Sequence, residues 1–568
     1  MPEKSWYRFY DKGVPIRPDF EELPLPSFLE RAASRFPSRP ATIFLNQNLT
    51  YGRLKDHVDR LATALTALGV VRDSRVAIHL PNLPQTAISV MAVLSLGAQV
   101  VMTNPLNVSR ELEEQWTDAE CTVVITTDFL YNRHIAQIHN NLTIRHYIVA
   151  SIPDYLSFPV RPLAALKLRR RRPSLLTRMP RGPEFHSFKS LIRWSPACPP
   201  RPVIRMDDAA LLQYTGGTTG RSKGAILTHG NLSYNVQQMH FWFPGLKDGG
   251  EVFLSVLPQF HIFGFTVALL LPIFAGATMV VMPNPRDIPI IIKNIKKHRV
   301  TLFPAVPAIF KAINSYSKIS RKDVRSLKWS FAGGAPLPID TLQRFEELTG
   351  GKLVEGYGLT EASPLTHANP LGGKRKAGSI GIPVPGTDAK IVDTNNGIGE
   401  CAPGEEGELI VRGPQIMQGY YNNPEETAQA LRNGWLHTGD LAMMDEDGFV
   451  TIVGRKKDMI LASGYNIYPD EIDSILMEHP AITEACTIGV PDPKRGETVK
   501  SFVVLKPGET VTEEEIISYC KKQLAAYKVP RLIDFRETLP KSGILKFLRR
   551  VLREEELAEI QKCHREID

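Results

Sequence analysis

The chain has 568 residues, 43% of them hydrophobic and 23% charged, the balance of a globular protein and not of a disordered or fibrous one. That length exceeds what one hydrophobic core organises, so two or more domains are expected. The net charge of +8 is modest; it favours small anions such as nucleotides, CoA or acidic lipid heads, and no nucleic-acid partner is expected.

The first elements alternate. Leu54, Val58, Leu61, Ala62, Leu65 and Leu68 recur at helical spacing. Residues 76–80 read as a buried strand, 86–96 as a helix and 99–102 as a further strand. This βαβ order implies parallel sheet with helices on its faces. Between residues 161 and 189 lie nine basic residues and one acid, Glu184. This Pro-rich insert, residues 159–188, reads either as a solvated loop or as a Leu-bearing basic surface that meets anionic lipid. Residues 267–282 are the most apolar stretch, yet they are few for a membrane span and include Pro272 and Gly276. A buried helix followed by a strand is expected there. Further strands are expected at 278–281, 300–303 and 328–331.

After about Ala389, short strands such as 407–411 alternate with Gly and Pro turns, as in a small barrel-like subdomain. Strands at 485–490 and 501–505 then alternate with helices at 470–477 and 512–524, enough for a small independent domain. The six cysteines, Cys121, Cys198, Cys401, Cys486, Cys520 and Cys563, form no C-x-x-C pair. Neither a zinc site nor a redox dithiol is expected. The first residues lack an apolar secretory core, so a reducing cytoplasmic setting is expected, with peripheral contact at the inner membrane face if the basic insert binds lipid.

The segment from Tyr214 to Gly224 holds four glycines, three threonines and one lysine in eleven residues. Thr215, Gly216, Gly217, Thr218, Thr219 and Gly220 supply backbone N–H and hydroxyl donors, and Lys223 a cation, as a phosphate requires. Strand-like runs at 211–214 and 226–227 flank the loop. It is not a Walker A loop, because Lys223 precedes Gly224 instead of following a glycine, and it is not a G-x-G-x-x-G turn.

The order of this loop resembles the phosphate loop of the adenylate-forming superfamily, which contains acyl-CoA synthetases, luciferases and nonribosomal adenylation domains. Later motifs follow in that family's order. Gly333, Gly334 and Ala335 resemble the adenine-floor loop. Glu355, Gly356, Tyr357, Gly358, Thr360 and Glu361 resemble its nucleotide and magnesium motif. By that resemblance Tyr357 stacks on adenine, Thr360 contacts phosphate as a catalytic hydroxyl, and Glu361 is the Mg²⁺ ligand. A ring face and a hard carboxylate suit those tasks. Asp440 resembles the ribose ligand, with Arg455 its neighbour. Lys457 matches the hinge residue, and Ser463, Gly464 and Tyr465 resemble the border of the CoA channel. Lys546 matches the catalytic lysine, although Leu545 stands where the family usually has glycine. His261 resembles a positioning histidine beside the acyl pocket, and Phe265 is a candidate gate to an acyl tunnel.

The resemblance spans residues from about 50 to 546 and is nearest to bacterial long-chain fatty acyl-CoA synthetases. It implies an α/β fold. A large multi-subdomain N-terminal domain, 1–454, combines α/β layers with a small β-barrel. A hinge at 455–458 joins it to a small, mobile α+β C-terminal lid, 459–568. The implied partners are a fatty acid, ATP with Mg²⁺, and coenzyme A, and a homodimer is left open. Three other readings compete: a CoA ligase for an aromatic or medium-chain acid, a fatty acyl-AMP ligase that loads a carrier protein, and a non-catalytic lipid-associated scaffold.

Overall fold

The helical stripe that begins at Leu54 becomes helix Tyr51–Ala67, and Thr50 caps its first turn by accepting from the Arg53 N–H. Strand Arg75–His79, helix Pro84–Ser95 and strand Gln99–Met102 follow, the two strands pairing in parallel with Val76 beside Val100. Every residue of Pro84–Ser95 is buried, and its sequence is small or apolar except for Gln85, whose Nε2 donates to the Ser151 carbonyl at 2.9 Å.

The computed structural model of the protein describes residues 4–171, 173–215, 222–283, 286–394, 397–462, 465–492, 496–524, 526–542 and 547–565. Its contacts divide into two compact units. The first comprises residues 1–388 and 412–436, the second 389–411 and 437–568.

Among the described residues the first unit holds two large sheets. The eight-stranded one runs, in spatial order, Gly419–Tyr420, Lys223–Thr228, Ala209–Thr215, Gln99–Met102, Arg75–His79, Val123–Thr127, His146–Ala150 and Phe185–Ser187. Its strands are parallel from Ala209–Thr215 to the Phe185–Ser187 edge, and the other two add on antiparallel. Trp116, Val101, Val124, Tyr147 and Leu212 belong to the core beneath it. The nine-stranded sheet includes the parallel neighbours Leu302–Ala305, Trp329–Ala332 and Lys352–Gly358.

The apolar stretch from Val267 is buried, as expected. It continues a helical run through Thr266–Leu270 and Leu271–Phe274, then turns into strand Thr278–Val281. No described helix is long and apolar enough to cross a membrane. Within the basic insert, residues Val160–Arg170 form an exposed helix where a loop is expected from the sequence. Its Leu-Ala-Ala-Leu-Lys-Leu run is made of strong helix formers, which outweigh the surrounding prolines. In that helix Leu163 is 66% and Leu166 49% exposed, and Phe158 just before the insert is 87% exposed, whereas Leu176 further on is buried.

The second unit contains residues 437–444 of strand Trp435–Met444, paired antiparallel with Val450–Arg455. A further sheet joins Tyr465–Ile467, Ile460–Ala462, Gly496–Leu505 and Ile482–Asp492, with Leu532–Phe535 added beside Gly496–Leu505. Ile472 and Leu476 from helix Pro469–Glu478, and Ile516 from helix Glu513–Gln523, pack on Ile460 and Val503 to form its core. At the start of the second helix the Thr512 and Glu515 side-chain oxygens each accept from the other's backbone N–H, the reciprocal cap that a Thr-x-x-Glu spacing allows.

Candidate active site

Strands Ala209–Thr215 and Lys223–Thr228 are antiparallel partners, with Thr215 beside Lys223 and Tyr214 beside Gly224. The glycine-rich connection therefore leaves and rejoins the sheet on one ladder rung. Gly216, Gly217, Thr218, Thr219 and Gly220 lie outside the described residues. The Tyr214 hydroxyl donates to Asp118 Oδ2 at 2.5 Å. Burial, then this carboxylate, raise the tyrosine's pKa, so the bond stays of the hydroxyl-to-carboxylate kind. A Cβ at position 224 would meet the Tyr214 ring at 3.0 Å, so glycine lets the ring lie across the hairpin.

The segments expected to face adenine and magnesium leave one end of the same sheet. Strands Trp329–Ala332 and Lys352–Gly358 are parallel neighbours, so residues 333–335 and 359–361 leave from the same carboxyl end. That edge is where open α/β sheets bind ligands. Tyr357 is half-buried, its ring 6.0 Å from that of His367 and edge-on to it. A Cβ on Gly358 would lie 1.9 Å from the Pro364 carbonyl oxygen, so only glycine permits this approach. Glu355 is 9% exposed, and the Leu337 N–H donates to its Oε1 at 3.3 Å. Burial pushes its carboxyl up to about 8, which leaves it a neutral acid near pH 7.

Thr360 and Glu361 are half-buried on the short 3₁₀ turn Thr360–Ala362. A chain of buried polar groups braces that turn. Thr266 Oγ1 donates to the Ser363 carbonyl at 2.8 Å, and Ser363 Oγ donates to the Gln415 carbonyl at 2.9 Å. Gln415 Nε2 donates to Thr387 Oγ1 at 2.6 Å, while Asn235 bonds both backbone groups of Leu365 at 2.8 and 3.1 Å. Fully paired buried amides of this kind hold a unique geometry, because each broken pair strands a polar group.

The structure brings Lys223 and Glu361 together through two residues that the motif search did not single out, Tyr420 and Glu426. The Tyr420 hydroxyl donates to Glu361 Oε1 at 2.7 Å. Lys223 Nζ lies 2.5 Å from Glu426 Oε2 and 5.7 Å from the centre of the Tyr420 ring. The signal that could have found them is the run Gly419 to Thr427, where Asn423 caps helix Pro424–Ala430 by accepting from the Glu426 N–H.

His261 caps the short helix Ile262–Phe265, its Nδ1 accepting from the Phe263 N–H at 3.3 Å. Phe265 is fully buried, and its N–H bonds the His261 carbonyl at 2.8 Å.

In the second unit Asp440 and Arg455 are register partners, with Arg455 Nε 2.9 Å from Asp440 Oδ1. Asp440 is only 3% exposed. Thr438 steadies the turn before it, accepting from the Asp440 N–H at 3.1 Å and donating to the Leu409 carbonyl at 2.7 Å. Lys457 is exposed on the turn that follows Arg455. Tyr465 opens strand Tyr465–Ile467, whereas Ser463, Gly464 and Lys546 lie outside the described residues. On either side of Lys546 the chain is anchored: Lys541 bridges to Phe547, and the Leu548 N–H donates to the Pro540 carbonyl at 2.9 Å. Arg549 follows, ion-paired with Asp470 and Asp473 and 3.9 Å from Asp458. Burial pushes the Asp473 carboxyl up to about 7.

With a glycine-rich hairpin, a carboxylate turn and two parallel strand ends in one unit, the fold is that of an adenylate-forming enzyme. The chain belongs to the AMP-binding enzyme family. The family's main model matches residues 29–421, and the AMP-binding enzyme C-terminal domain matches residues 471–546. The chain is 43% identical to a long-chain-fatty-acid–CoA ligase of Bacillus subtilis over 564 residues, 98% of either chain. It is 39% identical to a ligase of the same name from Escherichia coli O157:H7, covering 97% of this chain and 98% of that one. Among solved structures, ATP-bound MatB from Rhodopseudomonas palustris superposes with a TM-score of 0.81 at 28% identity, covering 93% of this chain and 98% of that one.

Proposed function

We propose that the protein is an AMP-forming long-chain-fatty-acid–CoA ligase. The observation that carries this reading is full-length similarity to ligases of that name, in a chain whose phosphate-loop lysine, Lys223, and motif carboxylate, Glu361, both meet the side chain of Tyr420. A carboxylate oxygen of the fatty acid attacks the α-phosphorus of ATP, the bond to the β-phosphate breaks, and pyrophosphate leaves. The CoA thiol, giving its proton to solvent, then attacks the acyl carbon, and AMP leaves with the bonding pair.

Each group has a task within this scheme. Lys223 and the flanking loop bind phosphate oxygens. Tyr357 offers its ring to adenine, and Asp440 its carboxylate to ribose hydroxyls. Glu361 fits Mg²⁺, a hard ion that accepts one protein carboxylate and takes its other ligands from water and phosphate. Among the described residues no cluster of three His, Cys, Asp or Glu makes a dedicated metal cage, which agrees with that sparse mode. Mg²⁺, when bound, neutralises phosphate charge. Lys546 supplies the cation at the reacting carboxylate. Lys457 is the hinge between a body, 1–454, and a lid, 459–568. His261 positions the acyl pocket, with Phe265 its gate.

The helix Val160–Arg170 adds a peripheral contact with anionic membrane, where long-chain acids reside. Exposed Leu163 and Leu166 beside Lys167, Arg169, Arg170 and Arg171 support it. A homodimer belongs to the same proposal and would be read from the mass in light scattering, 63.4 kDa or twice that.

The test is pyrophosphate release across a panel of fatty and aromatic acids, with and without CoA. Release with long-chain acids, and thioester only when CoA is added, is the expected result. Preference for an aromatic acid, or acyl-AMP accumulating in spite of CoA, would overturn it.

A further inference from the structure

Strand Gly419–Tyr420 is two residues long, yet it is pinned at three points. It pairs antiparallel with Lys223–Thr228, placing Tyr420 beside Ala225 and Gly419 beside Ile226. The Tyr421 N–H donates to the Gly224 carbonyl at 2.8 Å. The Tyr420 N–H donates to Thr427 Oγ1 at 2.9 Å. Side chains two apart on a strand share a face, so Tyr420, opposite Ala225, is the diagonal neighbour of Lys223. Its ring is half-buried, and its two ends meet groups of opposite charge. The hydroxyl donates to Glu361 Oε1 at 2.7 Å, and Lys223 Nζ sits 5.7 Å from the ring centre. Here the carboxylate is occupied by a hydroxyl, and the cation by Glu426 at 2.5 Å.

We propose that Tyr420 is a positioning residue for the adenylation step, setting the spacing between the metal-binding carboxylate Glu361 and the phosphate-binding cation Lys223. With Oε1 committed to the hydroxyl, Glu361 presents a fixed orientation to Mg²⁺. Partners that orient a metal ligand in this way change metal affinity or activity about 10- to 100-fold when removed. The ring separately keeps Lys223 in place for ATP. The inference rests on the assignment of Glu361 to Mg²⁺, so the experiment includes a variant that tests the assignment itself.

The full-length protein, Tyr420→Phe, Glu361→Gln and the double variant are compared by ATP-dependent thermal shift. Each is titrated with Mg²⁺ and also measured in EDTA. Pyrophosphate release is followed in parallel. Tyr420→Phe keeps the ring and loses only the hydroxyl. It should bind ATP in EDTA like the parent and need about tenfold more Mg²⁺ for the half-maximal shift. The double variant should need no more Mg²⁺ than Glu361→Gln alone, because the hydroxyl acts only through that carboxylate. A general loss of folding would lower the ligand-free midpoint and add to the Glu361→Gln effect, and additivity overturns the proposal. An unchanged Mg²⁺ requirement in Tyr420→Phe overturns it too, provided Glu361→Gln raises that requirement. If Glu361→Gln leaves the requirement untouched, the metal assignment falls and the role of Tyr420 falls with it.

Discussion

Glu355→Gln should flatten part of the protein's pH-dependent stability. The parent carboxyl is 9% exposed, and burial raises it from an ordinary 4.5 to about 8. The folded protein therefore keeps a proton that the unfolded chain releases above 4.5. The stabilising contribution of that proton is complete below 4.5 and is lost as pH rises through the folded value near 8. At about 1.4 kcal/mol per pH unit, the loss between about pH 5 and about pH 8 is roughly 3–4 kcal/mol. Glutamine keeps a carbonyl oxygen for the Leu337 N–H and never ionises. For a unit of roughly 400 residues, 1 kcal/mol moves the unfolding midpoint by about 1 °C. Scanning calorimetry of the first unit's transition should show the variant gaining about 4 °C on the parent between those pH values. Other carboxyls that titrate in this window, such as Asp128 near 6 and Asp473 near 7, are common to both proteins and cancel in the difference. Midpoints that stay parallel across the range would refute a neutral, buried Glu355.

Lys546→Ala should lower pyrophosphate release about 100-fold or more, while thioester formation from supplied acyl-AMP is spared; equal damage to both half-reactions would remove it from the adenylation step. Lys457→Pro fixes φ at the proposed hinge and should slow CoA transfer more than adenylation. Parent-like thioester formation in that variant would place the hinge elsewhere. Replacing Arg169, Arg170, Arg171 and Arg172 with serine should reduce sedimentation with anionic vesicles, each lost cation being worth about 1 kcal/mol near the surface. The parent's own binding should weaken as salt rises, with turnover of a short soluble acid unchanged in the variant; equal sedimentation of the two proteins would exclude lipid contact through this helix.

The glycine-rich hairpin is legible because strand, turn chemistry and strand follow one another within about twenty residues. The carboxylate turn is legible for a similar reason, since Glu355 to Glu361 follow one short strand. Tyr420 is not. Its strand has two residues and no alternation, and its partners Lys223 and Glu361 lie about 200 and about 60 residues earlier in the chain. Nothing in the local sequence marks Asn235 and Gln415, which the fold buries as a bracing network. The motif reading likewise takes Glu355 as a nucleotide contact, and only its burial reveals a neutral acid. The insert helix was hidden by its prolines and its arginine run, features that suit a loop equally well.

The pairing of Gly419–Tyr420 with Lys223–Thr228 has a consequence for synthesis. A ribosome delivers the hairpin first and its covering strand about 200 residues later, an interval of roughly 10–40 s at ordinary elongation rates. Throughout that interval the outer edge of Lys223–Thr228 offers unpaired backbone groups to any passing strand. Nascent chains stalled between the two segments should therefore be the aggregation-prone species, and those stalled beyond Thr427 should not.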